Sequence, residues 1–301
     1  MTARMRSTLA GFIGSKGSSQ WACTVAWSAL VLLCGCGGRA PNAAVVQGDP
    51  APFRSPSTWR DLDPSRPGTR LQDPRTGIVF RRIPAGSFTM GSAYMPMSMP
   101  QHPVQISTAF LLAETEVTLG QWRSYLHAAG VPPTPAVQAG EDSLPAAVDH
   151  NGASAFCARY GYVLPTEAQW EWACLGGLSP SDPSWEDKTA LRERAWYHDN
   201  AGDHARPVAT RKPNGYGLHD MIGNLWEWCA DYYAPFDLEE RIDPKGPPKP
   251  FGAPPIGNGR VLRGGSWFTI STPAPNPHTR IWDEPASTTT VAGFRPACPI
   301  D

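Results

Sequence analysis

The chain has 301 residues, a formal net charge of −1 and 18% charged residues. This length accommodates one large domain with extensions or two small domains. The near-neutral charge argues against nucleic acid as a partner, because nucleic-acid-binding domains carry a basic surface. The 33 Pro, 29 Gly and 12 Trp residues predict a loop-rich domain in which turns are frequent and aromatic side chains supply much of the buried area.

Residues 1–35 have the pattern of an export signal. Three basic residues and no acidic residue precede an apolar run, ACTVAWSALVLL, at 22–33. This run is too short for a membrane-spanning helix, which needs about 20 apolar residues. The LCGC sequence at its end resembles a bacterial lipobox, with Leu33 at position −3, Gly35 at −1 and Cys36 as the lipidated residue. An ordinary secretory signal with incidental cysteines is the alternative.

Residues 36–72 form a predicted tether. Pro, Gly, Ser and Arg dominate this stretch and no apolar periodicity is present, which is typical of a semi-extended linker. Lipidation of Cys36 would add several acyl chains, which together suffice for stable membrane anchoring. We therefore expect a protein of the bacterial cell envelope, lipid-anchored to the outer membrane. Its domain at residues 73–301 would face the periplasm or the cell surface.

The first elements of the domain are predicted strands. Residues 78–83, IVFRRI, are typical of a strand, and the turn residues at 84–87 predict a return strand that reaches Phe88. Residues 109–117 predict another extended segment. Three helices are predicted over residues 119–129, 150–160 and 167–174.

Two of these helices carry sequence signals for their N-termini. Thr118 precedes the first helix and can cap it, and Thr166 precedes the third helix with Gln169 three residues further on. A Thr followed by Gln at this spacing predicts a capping box, in which each side chain accepts a hydrogen bond from the backbone of the other residue. Short strands and loops alternate after the third helix, without internal repeats.

The domain carries a series of motifs that resembles one known family. In order, they are IPAGSFTMG at 83–91, EVT at 116–118, LPTEAQWEWA at 164–173, GYGL at 215–218, MIGNLWEW at 221–228, RVLRGGSW at 260–267 and GFR at 293–295. Together they resemble the formylglycine-generating enzyme family, also called the sulfatase-modifying factor family, over nearly all of residues 76–298. The resemblance implies a single domain with an α+β, loop-rich fold related to the C-type lectins.

The oxidases of this family use a copper ion, and the resemblance implies where its ligands would lie. In these enzymes molecular oxygen converts a peptide cysteine to formylglycine at copper held by two thiolates, since soft sulfur ligands select Cu(I). The two thiolate positions follow the serine of the GGS motif and correspond to Thr269 and Ala274 here. Neither residue supplies a thiolate. The sequence therefore argues against copper and against formylglycine formation.

The resemblance also implies a structural calcium site around residues 220–227. Its ligands would be the side-chain oxygens of Asp220 and Glu227 and the backbone carbonyls of Gly223 and Leu225. Hard oxygen ligands of this kind suit Ca²⁺, which would order a stretch with little regular structure. The alternative is that Asp220 stabilises a turn and Glu227 pairs with an arginine.

Four cysteines remain after the predicted signal and lipidation site, and an exported domain favours their pairing. The resemblance implies a disulfide between Cys157 and the C-terminal region, where Cys298 lies close to the family position. The usual partner of Cys174 is replaced by Pro277. A bridge between Cys174 and Cys229 is a possible substitute.

The segment after the GGS motif is predicted to form a binding cleft. Residues 268–279, FTISTPAPNPHT, contain three prolines and no lysine or carboxylate, while the family spacing around them is kept. A varied segment on a fixed scaffold is typical of a binding surface, and diversification by a retroelement or ordinary drift are both open explanations. The cleft and its loops are predicted to span residues 266–290, with Ser266, Trp267, Phe268, Thr269, Ala274, Arg280 and Trp282 as the cleft residues.

Two classes of function follow from these observations. The first is a non-catalytic, envelope-anchored binding domain for a peptide, a protein or a glycan. The second is an oxidoreductase of the same family that oxidises protein cysteine or carries out another reaction with O₂. Because the copper-binding thiolates are replaced, we expect the first.

Overall fold

A computed structural model describes residues 69–252, 257–270 and 275–300. These residues all belong to one compact unit. Within the described ranges, no helix combines the length and apolar character required to cross a membrane.

Several sequence predictions concern positions outside the described residues. They are the signal at 1–35, the lipidation site Cys36, the tether up to residue 68, and the cleft residue Ala274. These remain predictions.

Short strands and short helices alternate along the described chain, as its Pro and Gly content predicts. The strands are β1 (Arg70–Gln72), β2 (Val79–Ile83), β3 (Gly86–Met90), β4 (His102–Ile106), β5 (Phe110–Ala113), β6 (Trp226–Tyr232), β7 (Arg241–Ile242), β8 (Arg260–Arg263), β9 (Arg280–Asp283), β10 (Ala292–Gly293) and β11 (Ala297–Pro299). The α-helices are α1 (Leu119–Ala128), α2 (Pro135–Ala139), α3 (His150–Tyr160), α4 (Glu167–Leu175), α5 (Lys188–Arg194) and α6 (His198–Ala201). The predicted α+β class is confirmed.

The first sheet joins the two ends of the domain, in the order β1-β2-β5-β11 with antiparallel neighbours. In β1, Arg70 lies opposite Arg81 and Gln72 opposite Val79. These first residues were predicted to belong to the tether. The domain boundary is therefore corrected to include residues 70–72, because their backbone is part of the sheet.

The other two sheets bring distant motifs together. One has the order β10-β6-β8-β9 and places Glu227 opposite Arg263, so the GNLWEW and RVLRGGSW motifs lie on adjacent strands. The other has the order β3-β4-β7. The return strand predicted after the turn at 84–87 exists as β3, but it pairs with β4 rather than with β2. The turn therefore transfers the chain between sheets instead of closing a hairpin.

The predicted helix caps are present. Thr118 accepts a hydrogen bond from the backbone N–H of Gln121, whose side chain accepts one in return from the N–H of Thr118. Thr166 and Gln169 form the same reciprocal pair at the start of α4. The cap predicted at Thr118 and the capping box predicted at Thr166 are confirmed, and the cap at Thr118 is also a full box. Both boxes satisfy N–H groups that have no partner within the helix.

The core contains two clusters of buried apolar side chains. Trp170 of α4 is fully buried in one cluster and Trp228 of β6 in the other. Each indole donates to an acceptor distant in sequence: Trp170 donates to a Glu227 oxygen at 2.6 Å and Trp228 donates to the Val148 carbonyl at 2.9 Å. Buried Trp side chains of this kind supply large apolar area together with one directional bond.

Candidate functional site

The segment that follows β8 begins with a tight turn that only glycine tolerates. Gly264 and Gly265 have φ angles of 90° and 82°, in the left-handed region that other residues avoid. A Cβ atom on Gly264 would also lie 2.9 Å from the Met221 carbonyl oxygen. The turn therefore places the following residues directly against the segment around Met221.

The residues that follow form a turn stabilised by its own side chains. The Thr269 hydroxyl accepts a hydrogen bond from the Ser266 N–H at 2.8 Å, and the Thr269 N–H donates to the Ser266 carbonyl at 2.9 Å. The Ser266 hydroxyl in turn accepts from the Phe268 N–H at 3.3 Å. The position that corresponds to a copper-binding thiolate thus carries a hydroxyl group that stabilises the local backbone.

Two predicted cleft residues are interior residues, which corrects their predicted role. Ser266 is 1% exposed and Arg280 is 3% exposed. The Arg280 guanidinium donates to both Glu167 oxygens, at 2.6 and 2.8 Å, and to the Met97 carbonyl at 2.9 Å. A bidentate charged pair of this kind is strong and directional. Arg280 therefore links the start of α4 to the turn around Met97 and does not face a ligand.

The apolar residues of the predicted cleft are the ones that reach solvent. Phe268 is 64% exposed and Ile270 is 50% exposed, whereas Trp267, Thr269 and Trp282 are half-buried. The Trp267 and Phe268 rings are in contact, with centroids 5.5 Å apart. The solvent-facing part of this surface is therefore aromatic and aliphatic, since the hydroxyl groups of Ser266 and Thr269 are used internally.

This surface is attached to the segment that was predicted to bind calcium. The Trp267 N–H donates to the Asn224 carbonyl at 2.8 Å, and the Gly223 N–H donates to the Gly264 carbonyl at 3.0 Å. A change in the backbone conformation of residues 220–225 would therefore shift the exposed surface directly.

A buried charge network lies beneath the surface, and sequence reasoning missed it. Glu171 forms an ion pair with Arg263 and bonds the His278 ring at 2.9 Å. Burial raises the pKa of Glu171, but the Arg263 charge and the His278 hydrogen bond outweigh burial and hold that pKa at about 2. Burial lowers the pKa of His278, but Glu171 reverses the effect and raises it overall. The only sequence signal was the position of Glu171 within the LPTEAQWEW motif.

Glu227, a predicted calcium ligand, is occupied by other partners. Arg295 donates to both of its oxygens, at 2.6 and 2.7 Å, and Trp170 donates to one of them at 2.6 Å. All three residues are buried. This arrangement matches the alternative in which Glu227 pairs with an arginine, and it does not fit a role for Glu227 as a calcium ligand.

Asp220 and a residue that sequence reasoning missed, Glu116, are more suitable for a cation. Each has one carboxylate oxygen that is buried and without a hydrogen-bond partner. Burial and the charges of Asp220 and Glu227 raise the pKa of Glu116 well above its usual range. Burial is also the largest cause that raises the pKa of Asp220, to about 6. Buried carboxylates without partners are costly, and a bound cation would remove that cost.

The described residues contain no group of three or more His, Cys, Asp and Glu side chains arranged to hold a metal ion. A cation in this region would therefore draw on two carboxylates together with backbone carbonyls, of which Gly223 and Leu225 were predicted to contribute. Calcium accepts carbonyl oxygens readily. The calcium site stays a prediction, with Asp220 as the side chain of the predicted set that fits it.

All four cysteines of the domain are buried free thiols in the structure. Cys157 and Cys298 lie in the same apolar cluster. Burial, followed by the nearby Cys298, raises the pKa of Cys157 well above its usual range. The bridge between these two residues stays a prediction, as does the bridge between Cys174 and Cys229.

Comparison with known proteins relates this chain to one family. The model of the sulfatase-modifying factor enzyme 1-like domain matches residues 69–300. The chain is 37% identical to the formylglycine-generating enzyme of Streptomyces coelicolor over 135 residues, which cover 40% of this chain and 41% of that protein. It is 34% identical to the inactive Cα-formylglycine-generating enzyme 2 of Bos taurus over 162 residues, which cover 49% of this chain and 48% of that protein. These matches span less than half of either relative.

Two solved structures are similar over nearly their whole length. Treponema denticola variable protein 1 has a TM-score of 0.65 and 27% identity, covering 77% of this chain and 99% of that one. PvdO from Pseudomonas aeruginosa has a TM-score of 0.62 and 25% identity, covering 78% of this chain and 100% of that one. Together with the family match over residues 69–300, they confirm the predicted fold. The chain belongs to the sulfatase-modifying factor family, also called the formylglycine-generating enzyme family.

Proposed function

We propose that this chain is a non-catalytic member of its family that binds a peptide, a protein or a glycan through the surface at residues 266–282. One observation carries the proposal: Thr269 stands where the oxidases have a copper-binding thiolate, and its hydroxyl stabilises the backbone of its own turn. A hydroxyl does not hold Cu(I) as soft thiolate ligands do. The scaffold is kept while the group needed for oxidation is replaced.

The exposed side chains support binding as the role of this surface. Phe268 and Ile270 project into solvent from a segment whose backbone is held by internal hydrogen bonds. Exposed apolar groups on a rigid frame are typical of interaction sites. The names of two relatives are consistent with this role, since one is called inactive and the other is called a variable protein.

The first experiment asks whether the protein can hold the copper ion that the oxidases use. The purified protein is titrated with Cu(I) in competition with a chelator. We expect no tight, stoichiometric site, and oxygen consumption at background level when a cysteine-containing peptide is added. The double variant Thr269→Cys/Ala274→Cys is the positive control, because two thiolates should raise Cu(I) affinity at least tenfold. A tight site in the wild type, or peptide-dependent oxygen consumption, would contradict the proposal.

The binding surface is tested by probing a random peptide library and a glycan array with the wild-type protein. For any ligand found, we expect the variant Phe268→Ser/Ile270→Ser to lose at least tenfold in affinity, since truncation of apolar anchors removes most of the binding energy of such a surface. Leu238→Ser is the matched control, because Leu238 is also exposed and apolar, at 75%, and lies outside residues 266–282. Ligands that bind both variants equally well would place the binding site elsewhere.

We also propose that Cys36 is lipidated and anchors the protein in the bacterial envelope, with residues 37–69 as the tether. The LCGC sequence after the apolar run supports this proposal. Fractionation of the producing cells checks it, because Cys36→Ser should move the protein from the membrane fraction to the soluble fraction. A wild-type protein that is already soluble would contradict it.

Calcium is proposed as a structural ion of the segment 220–225. The unpartnered oxygen of buried Asp220 supports this proposal. Bound there, the ion would supply positive charge to a region rich in buried carboxylates. An ordered backbone at residues 220–225 would in turn fix the position of the binding surface, because Gly223 donates a hydrogen bond to Gly264 and Trp267 donates one to Asn224.

A further inference from the structure

We infer that His278 is a buried imidazolium whose two ring N–H groups join the turn at residues 178–182 to the segment at residues 276–280, and that loss of one of these protons releases the turn. The two parts are called the Pro180 turn and the His278 segment below. The His278 segment belongs to the proposed binding surface, so one edge of that surface depends on pH. The inference concerns the protein without a ligand and does not rest on the proposed binding function.

Both ring nitrogens of His278 face acceptor atoms. Nδ1 lies 2.9 Å from a carboxylate oxygen of Glu171, and Nε2 lies 3.1 Å from the carbonyl oxygen of Pro180. A backbone carbonyl can only accept a hydrogen bond, and an ionised carboxylate can only accept one as well. A neutral imidazole has a single N–H group, so it could satisfy one of these two contacts but not both.

The contacts of Glu171 show that it is ionised. The oxygen that faces His278 also accepts from the Gly91 N–H at 2.9 Å, and the other oxygen accepts from the buried guanidinium of Arg263. Burial opposes ionisation, but the charge of Arg263 and the hydrogen bond from His278 lower the pKa of Glu171 to about 2. Glu171 therefore has no proton to donate, and both nitrogens of the His278 ring must carry one.

The charged groups around His278 come from two elements. Arg263 of β8 is a second cation, and its guanidinium donates to the His278 carbonyl at 3.4 Å. Glu171 and Glu167 of α4 are the anions, and Glu167 contacts both Arg263, at 3.3 Å, and Arg280. Burial and Arg263 lower the pKa of His278, but the hydrogen bond and the charge of Glu171 outweigh them, so this pKa is raised overall. The surroundings favour the charged ring that the hydrogen bonds require.

The Pro180 turn follows α4 and is held by short-range bonds. The Asp182 N–H donates to the Ser179 carbonyl at 3.0 Å, and the Asp182 carboxylate accepts from the Ser184 N–H at 2.9 Å. These bonds lie within the turn and the residues just after it, so they do not attach it to the His278 segment. The imidazolium supplies that attachment through its bond to the Pro180 carbonyl.

Removal of one proton breaks the attachment on the side of the turn. The remaining proton stays between His278 and Glu171, because a hydrogen bond to a charged acceptor is about twice as strong as one to a neutral acceptor. Nε2 then directs a lone pair at the Pro180 carbonyl, and two acceptors repel. The His278 segment stays in place, since the Ser98 hydroxyl still donates to the His278 carbonyl at 2.5 Å. The turn, with Leu178 40% exposed, is the part that moves.

The charge of the ring is tested by side-chain nitrogen NMR spectra of the ¹⁵N-labelled full-length protein. At about pH 7.5 an ordinary histidine is about nine-tenths neutral, whereas we expect both nitrogens of His278 to be protonated. His150 is the internal reference, because burial and the charge of Arg260 lower its pKa to about 4 and its ring should be neutral in the same spectrum. A neutral His278 ring at this pH would overturn the inference.

The release of the turn is tested by following carbonyl ¹³C signals of the same protein as the pH is raised to about 10. The Pro180 signal should shift with the same midpoint as the His278 ring. The matched control is the carbonyl of Pro84, which accepts from the Trp172 indole N–H at 2.8 Å, a donor that does not titrate. A Pro180 signal that stays constant while the ring loses its proton would show that His278 does not hold the turn.

The variant His278→Gln assigns the ring signals and adds a stability test. A group whose pKa is raised on folding stabilises the protein below that pKa, and this contribution is lost as the pH rises through it. The destabilisation caused by His278→Gln should therefore be larger at about pH 6 than at about pH 9, by urea unfolding. Equal destabilisation at both pH values would contradict the inference, and if the variant does not fold, the spectra of the wild type decide. None of these outcomes bears on the copper or ligand experiments proposed above.

Discussion

Replacing Arg295 with methionine is expected to lower the free energy of unfolding by about 3–5 kcal/mol, because it leaves a buried charge without its partner. The variant would retain Glu227 beside Glu116 and Asp220, so three buried carboxylates would face one another with no guanidinium among them. The carbonyls of Ala113 and His219 would also lose a donor.

Urea unfolding in the presence of chelator measures the effect of Arg295→Met without a contribution from bound metal. Arg70→Met is the control, because Arg70 also pairs with a glutamate, Glu114, but has a side chain that is 59% exposed. Surface pairs of that kind contribute about 0–1 kcal/mol. Equal losses in the two variants would show that the Arg295 pair does not stabilise the interior more than a surface pair does.

Asp231 is expected to make the wild type less stable as the pH rises from about 4 to about 8. Burial, followed by the charge of Glu167, raises the pKa of Asp231 from 3.8 to about 7. Between these two values the folded state keeps a proton that the unfolded state releases, so stability falls with pH in this window. The shift corresponds to an upper bound of about 4 kcal/mol, which is reached above pH 7.

The variant Asp231→Asn checks this prediction, since an amide oxygen can still accept the hydrogen bond that the Glu167 N–H donates to Asp231 at 2.8 Å. At pH 8 the variant should be more stable than the wild type, and the two should converge near pH 4. Asp283→Asn, at a partly exposed aspartate of β9, should follow the wild-type profile. Parallel profiles of the wild type and Asp231→Asn at all pH values would contradict the prediction.

The sequence alone determined two kinds of feature. The first depends only on residues that are close together in the chain, and the second depends only on which residue occupies a position. The capping boxes at Thr118 and Thr166 were predictable, because each joins residues only three positions apart. The ordered motifs identified the family and its α+β fold. The absence of thiolates was also readable directly, since Thr269 lacks the necessary atom in any conformation.

Only the tertiary structure decided which side chains face a ligand, an ion or each other. Arg280 pairs with Glu167 across 113 positions in sequence, and Arg295 pairs with Glu227 across 68. No local pattern reports such pairs, because they arise when β6, β8 and the C-terminal segment assemble. The strand β3 leaves the sheet of β2 for the same reason, since its partner is chosen by packing and not by the turn that precedes it.

Glu116 illustrates the same limit within one motif. In the sequence it belongs to EVT, where Val117 and Thr118 have evident local roles and the glutamate has none. In the structure it lies beside Leu225 and within the electrostatic reach of Asp220, more than a hundred residues further along the chain. A carboxylate becomes a candidate ion ligand through the groups that surround it, and the fold brings those groups together.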